Sequence, residues 1–340
     1  MFIHRVILAA IAILFAGVVP VRSQGVLYYS RTDSAVAAID ARTGVEVNVV
    51  GSAAFTGANP GAARNVAIDP VTRLLWYSAT DDNFHSLHVD TLAAGPSITG
   101  IEGVSIGAAR HVFIDYSRRR IIAPLTDSTV KFYNLSDQQP AGSIPSGFFT
   151  DGAVGGFRHF ASDIRSGTLW YAATDGSFRE MNPDTTNHTG RTIPFSVQTG
   201  SNPGAARHFV VDPVRDLLLY VVTDGSIASV NLTTLLAGTF TISSAAFSGA
   251  NPGAGKNITF DIQPLLFGIQ PGAAAGQATL LWKGVGGAVG YTVEFRDAFG
   301  TGGWAPLAPT GQWPTTQTAL SNFTVSGSVR FFRVAIGPSP

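Results

Sequence analysis

Asn65-Val-Ala-Ile-Asp69, Leu74-Leu-Trp-Tyr-Ser-Ala-Thr80, Ser86-Leu-His-Val-Asp90 and Ser97-Ile-Thr-Gly-Ile101 are four short apolar runs, parted by a Pro70-Val-Thr-Arg73 turn, by Asp81-Asp82-Asn83 and by a Gly-Pro turn. Runs of this length, rich in β-branched and aromatic residues and bounded by turn formers, are strands, and no 3.6-residue period is sustained after the N-terminal segment. The same order returns over residues 207–243, with Asp212-Pro213, Asp224-Gly225 and Leu236-Ala-Gly238 at the turns.

Outward from these two units the pattern is five-fold. A basic residue, then Asn or His, then an apolar run closed by Asp occurs at Arg64-Asn65 to Asp69, Arg110-His111 to Asp115, Arg158-His159 to Asp163, Arg207-His208 to Asp212 and Lys256-Asn257 to Asp261. The steps between the basic residues are 46, 48, 49 and 49. A Thr-Asp pair interleaves with it at Asp33, Asp81, Asp127, Asp175 and Asp224. Repeats of this length are supersecondary units that cannot bury their apolar faces alone, and a four-stranded unit at this spacing is a blade of a β-propeller. Residues 26–50 hold only the last three strands of a unit, and residues 256–262 only the first. Joined, they make a composite blade that closes the ring and leaves no open sheet edge. The expected fold is therefore all-β, a five-bladed β-propeller. A six-bladed ring is the alternative, should residues 265–269 found another blade.

With an apolar run ending in Asp, a turn, an aromatic-bearing strand ending in Thr-Asp and a third strand, residues 65–90 and 111–134 resemble the YWTD repeats of low-density-lipoprotein receptor class B propellers. The likeness runs over residues 26–262, although no Tyr-Trp-Thr-Asp string is intact and five blades depart from that family's usual six. The resemblance implies a non-enzymatic recognition propeller. Farther on, Ala278-Thr-Leu-Leu-Trp282, Gly290-Tyr-Thr-Val-Glu-Phe295 and Arg330-Phe-Phe-Arg-Val334 are similar to the fibronectin type III pattern of exported proteins. That likeness implies a small C-terminal β-sandwich with Trp282 and Tyr291 in its core.

At the N-terminus, Arg5 precedes an apolar stretch over residues 6–19 and then Pro20-Val-Arg-Ser-Gln24. This has the proportions of a secretory signal peptide cleaved after Ser23, and is too short to span a bilayer. The expected organisation is a signal peptide at 1–23, the propeller at 24–263, a Gly- and Ala-rich linker at 264–276 and the sandwich at 277–340. The expected location is secreted, periplasmic or cell-surface, with no membrane span after signal removal, and the composition suits a bacterial source. The chain has no cysteine, which removes disulfides, thiol catalysis and cysteine-ligated metals. Lys plus Arg and Asp plus Glu are 22 each and only 13% of residues are charged, so nothing in the charge favours nucleic acid as a partner. A monomer is expected.

The repeated polar residues are candidates for function. Arg64, Arg110, Arg158, Arg207 and Lys256, with His111, His159 and His208, form a candidate binding ring on one propeller face. The plainer reading is a hairpin between strands one and two, which brings each basic residue beside a Thr-Asp carboxylate as an intrablade ion pair: Arg64 with Asp81, Arg110 with Asp127, Arg158 with Asp175, Arg207 with Asp224, Lys256 with Asp33. The three histidines hold equivalent positions in consecutive blades, where the other two units carry Asn65 and Asn257. Equivalent positions on separate blades are expected to stand too far apart to share one ion, so neither a metal site nor any cofactor is expected, and hydrogen bonding at the blade start is the assigned role.

The aspartate closing each first strand recurs five times and is expected to cap turn amides. Glycosidases need two carboxylates placed asymmetrically, which makes the non-repeating Glu102, Glu180, Asp184, Asp216 and Glu294 the better catalytic candidates. They share no local motif, and no nucleophile elbow, phosphate loop or metalloprotease motif is present, so no catalytic residue is assigned. The near-identical, uncharged Asn-Pro-Gly loops ahead of Arg64, Arg207 and Lys256 are structural turns or a neutral surface for a glycan. The expectation is an exported non-catalytic protein whose propeller binds an extracellular protein or glycan, the alternative being a hydrolase or lyase acting on extracellular polysaccharide.

Overall fold

Five antiparallel sheets, each short and strongly apolar, stand side by side around one axis in the computed structural model. It describes residues 25–55, 57, 65–70, 72–101, 111–149, 159–200, 208–213, 215–250 and 257–261, and in the C-terminal part 265–271, 277–283, 290–296, 305–307, 319–324 and 331–337. Blade 1 has the order β18-β1-β2-β3, from β1 (Val26–Ser30), β2 (Val36–Asp40), β3 (Glu46–Val50) and β18 (Ile258–Asp261). Its register runs from Val26 opposite Asp261 to Tyr29 opposite Ile258, so the two ends of the repeat array close the ring by direct pairing, as the split motif predicts. Blade 2 is β4 (Val66–Asp69), β5 (Leu74–Ser78) and β6 (Phe84–His88). Blade 3 is β7 (Phe113–Asp115), β8 (Arg120–Pro124), β9 (Val130–Asn134) and β10 (Pro140–Ile144). Blade 4 is β11 (Phe160–Asp163), β12 (Thr168–Ala172), β13 (Phe178–Asn182) and β14 (Asn187–Ile193). Blade 5 is β15 (Phe209–Asp212), β16 (Leu217–Val221) and β17 (Ile227–Asn231).

The core lies between blades. Tyr28, Val36 and Ala38 of blade 1 pack with Ile68, Leu75 and Tyr77 of blade 2, and blades 3 and 4 and blades 4 and 5 share equivalent clusters. The second strands supply the largest buried side chains, Trp76, Trp170, Tyr171 and Tyr220. A blade apolar on both faces cannot be stable alone, which is why closure of the ring matters more here than any single sheet.

Among the described residues, blades 2 and 5 lack a regular outer strand. Only isolated bridges remain, Ile98 to Phe84 and Ala94 to Leu87, with Ile242 to Ile227 and Ala237 to Val230 as the counterpart. A serine hydroxyl pins each outer segment instead: Ser86 donates to the Pro96 carbonyl at 2.6 Å and Ser229 to the Phe240 carbonyl at 2.8 Å. The adjacent Gly95 and Gly238 leave the room for this, since a Cβ there would fall 2.4 Å and 2.3 Å from those hydroxyl oxygens.

The C-terminal unit consists of two three-stranded sheets. One is β19 (Leu265–Pro271), β20 (Gln277–Lys283) and β23 (Ala319–Thr324) in the order β19-β20-β23. The other is β21 (Gly290–Arg296), β22 (Ala305–Pro306) and β24 (Phe331–Gly337) in the order β22-β21-β24. Leu280, Val293 and Leu307 are buried in it. Leu265–Pro271, placed by composition in the linker, is thus a seven-residue strand, six of its residues laddered against Gln277–Lys283 with a bulge at Phe267, and it founds no sixth blade. Its Leu-Leu-Phe run is strand-like, but it leads directly into the glycine- and alanine-rich residues after Pro271, which read as linker. The side chains of Trp282 and Tyr291, read as sandwich core, and the expected signal peptide lie outside the described residues.

Candidate functional site

The innermost strands β18, β4, β7, β11 and β15 pack in that cyclic order around the axis. The residue that opens each of them is Asn257, Asn65, His111, His159 and His208 in turn, and all five are buried. The three imidazoles meet. Ring centroids are 4.2 Å apart for His111 and His159, 3.9 Å for His159 and His208, and 5.5 Å for His111 and His208, with edge-to-face or tilted planes. One nitrogen from each lies within 4.8 Å of one from each of the others. The expectation that equivalent positions stand too far apart for one ion is therefore overturned. Five blades make a narrow ring, the first strands are its innermost elements, and an imidazole projected inward from each is long enough to close the remaining gap.

Burial sets the protonation of this cluster. Removal from water disfavours the imidazolium, pushing His111 down to about 4. His208 is driven well below the ordinary histidine range by burial first and by the neighbouring His111 second. His111 and His208 are neutral at physiological pH, and a neutral imidazole is the form that accepts hydrogen bonds and ligates metals.

Next to the histidines the axis is apolar. Val66, Phe113, Phe160, Phe209 and Ile258 line a cavity of about 30 Å³, room for a single water and not for a sugar ring. No carboxylate is among the residues lining it.

The opposite end of the inner strands is acidic, and fully satisfied. Asp69, Asp115, Asp163, Asp212 and Asp261 are all buried. As expected, four of them accept from amides of their own turns: Thr72 on Asp69, Arg118 on Asp115, Arg165 on Asp163 and Arg215 on Asp212. What sequence reasoning missed is the arginines. Arg120 reaches Asp115 at 2.9 Å, Arg165 reaches Asp163 at 2.9 Å and Arg215 reaches Asp212 at 2.7 Å within their blades. Others cross between blades: Arg73 of blade 2 bonds Asp261 of blade 1, Arg119 of blade 3 bonds Asp69 of blade 2, Arg118 of blade 3 bonds Asp184 of blade 4, and Arg165 of blade 4 bonds Asp216 of blade 5. The available signal was an arginine within a few residues of Asp69, Asp115, Asp163 and Asp212, in every turn between strands one and two.

The expected ring of Arg64, Arg110, Arg158, Arg207 and Lys256 lies outside the described residues, and so do the intrablade pairs built on it. Their proposed partners are visible. Asp33, Asp81, Asp127, Asp175 and Asp224 each accept from the amide two residues on, at 2.8 to 3.1 Å, and so close the second turn of every blade. Among the non-repeating acids, Glu180 is buried under Thr168, Thr189 and Arg191, while Asp184 and Asp216 are held by Arg118 and Arg165. Glu102 and the side chain of Glu294 lie outside the described residues.

A groove of about 520 Å³ opens where the irregular outer segment of blade 2 meets β10 of blade 3. Thr99, Ser97, Lys131, Tyr133, Gln139 and Ser143 are among its lining, which is hydroxyl- and amide-rich and holds no carboxylate among the described residues. No family model matches the chain, and a search of curated proteins likewise returned no match.

Proposed function

We propose that this is an exported, non-catalytic recognition protein, and that its ligand is a neutral polar one, a glycan, taken up in the groove between blades 2 and 3. That groove carries the reading. Hydroxyls and side-chain amides supply paired donors and acceptors to sugar hydroxyls, Tyr133 offers an aromatic edge, and the single ammonium of Lys131 leaves the lining short of the charge that an anionic polymer would require. The repeat's likeness to YWTD propellers, which recognise rather than react, agrees with it. The two three-stranded sheets at the C-terminus suit a fibronectin type III-like spacer or second contact. The rival, a polysaccharide hydrolase with its site on the axis, finds less support among the described acids: Glu180, Asp184 and Asp216 are each engaged by an arginine, and no carboxylate among the described residues lines the axial cavity.

Glycan-array screening of the purified protein, followed by titration of the best hit, tests this. Gln139→Ala and Lys131→Ala are expected to weaken binding at least tenfold without altering the fold. Turnover of any bound polysaccharide, or binding that ignores both substitutions, would overturn it.

A further inference from the structure

The propeller axis is lined mostly by Val, Ile, Phe and Ala, with Tyr116, Ser162 and Thr259 the polar exceptions, and apolar residues would also pack the starts of β7, β11 and β15. Three imidazoles stand there instead, buried, from three consecutive blades. We propose that His111, His159 and His208 bind one divalent transition-metal ion, Zn²⁺ in first place, on the propeller axis.

Geometry and ligand chemistry both point to it. Tetrahedral Zn–N bonds of about 2.0–2.1 Å set ligand nitrogens roughly 3.3 Å apart. The nitrogens here lie within 4.8 Å of one another, so rotations of the imidazoles that close the trio by about 1.5 Å or less complete the site. The three ring planes meet edge-to-face or tilted, so no two of the imidazoles stack in parallel. All three candidate ligands are imidazole nitrogens, and all three side chains are buried. An all-imidazole set selects zinc, copper, nickel or cobalt over magnesium or calcium, which take oxygen ligands. Three protein ligands leave the fourth position to water, the open arrangement of zinc sites rather than the closed four-ligand one. Asn65 and Asn257, buried at the two remaining positions of the ring, add neutral amides and no charge.

The experiment uses the full chain freed of metal by chelation and titrated with Co²⁺ as a visible reporter, then with Zn²⁺. One Co²⁺ per chain is expected, with the intense visible band of a four- or five-coordinate ion, displaced by an equivalent of Zn²⁺. His159→Asn copies the residue that blades 1 and 2 carry at the same position, and is expected to fold while losing affinity by at least about 100-fold, since even outer-shell substitutions cost 10–100-fold. His88→Gln, away from the axis, and Gln139→Ala, in the groove, are expected to bind metal like the parent. The second of these separates failure of this proposal from failure of the glycan reading. A folded parent that gives only the weak spectrum of hydrated cobalt overturns the proposal, as does a His159→Asn protein with unchanged affinity. Should His159→Asn not fold, His208→Asn carries the same expectation, and the parent spectrum decides by itself.

Discussion

The two ends of the five inner strands are built by opposite rules. At one end every strand closes on a buried aspartate, and each aspartate has an arginine within its blade or from the next. At the other end the symmetry breaks, with two asparagines and three histidines in contact with one another. A charged group repeated five times with its partner is what a ring needs to clamp its blades, because an unpaired buried carboxylate costs several kcal/mol. A polar group varied from blade to blade while its backbone stays the same is not required by the fold. The asymmetric end is where the proposed metal site lies.

Removing a clamp should do the most damage. Asp69→Ala takes the partner from Arg119, which reaches it across the boundary of blades 2 and 3, and from the Thr72 amide. A loss of about 3–5 kcal/mol is expected, read as a fall in the urea midpoint. His159→Asn, at the other end, should stay within about 1 kcal/mol of the parent in the absence of metal. If the two substitutions cost the same, the division into a structural end and a variable end fails.

The pH dependence of the metal-free protein sharpens the same division. His111 titrates near 4 when folded and near 6.5 in a model peptide, so between these values the unfolded chain holds a proton that the folded chain refuses. Its contribution is intact above about 6.5 and disappears as the pH falls toward 4, and His208 acts in the same direction. Stability should fall by up to about 3 kcal/mol for His111 alone across that window. Urea midpoints measured from pH 7 to pH 4.5 should flatten when His111, His159 and His208 are all replaced by Asn. An unchanged slope would place the acid sensitivity elsewhere.

At the periphery, Gly95→Ala and Gly238→Ala should each cost about 1–3 kcal/mol, through collision of the new methyl with the Ser86 or Ser229 hydroxyl. Denaturation of Gly238→Ala paired with Ser229→Ala checks the mechanism, because the close contacts of a Cβ at Gly238 are all with Ser229, so the clash and the loss share one cause and must not add. Additivity would mean that the serine does not hold the outer segment.

Much of this was legible beforehand. The repeat length, the composite blade and the turn-capping role of the aspartates followed from residue type and spacing, since each depends on neighbours close in sequence. The arginines that clamp an aspartate of their own blade were legible from spacing alone, whereas the arginine pairs between blades and the histidine cluster were not, because closure of the ring brings those residues together. A one-dimensional repeat gives the order of blades around an axis, and only a closed ring of known width says whether three imidazoles reach each other. Leu265–Pro271 was missed for a different reason, its strand pattern running directly into a glycine-rich segment.

The smallest expected effect concerns the turns that rim the histidine end. The residue after each Thr-Asp pair adopts a left-handed backbone in all five blades, with φ of 68° at Ser34, 69° at Asp82, 71° at Ser128, and 83° at both Gly176 and Gly225. Glycine accepts this conformation freely, whereas other residues incur about 1–2 kcal/mol. Exchanging residues between blades therefore isolates the cost. Gly176→Ala should destabilise by about 1–2 kcal/mol, because its Cβ would also stand 2.9 Å from the Phe195 ring. Asp82→Gly should be neutral or stabilising by up to about 1 kcal/mol, the relief of φ offsetting the added chain entropy of the unfolded state. Thermal midpoints of the two variants, with Co²⁺ affinity measured on each, separate rim from centre. The rim is symmetric in backbone though not in sequence, so neither exchange should move metal affinity more than about twofold; a tenfold change in either would extend the functional asymmetry from the histidines to the turns around them.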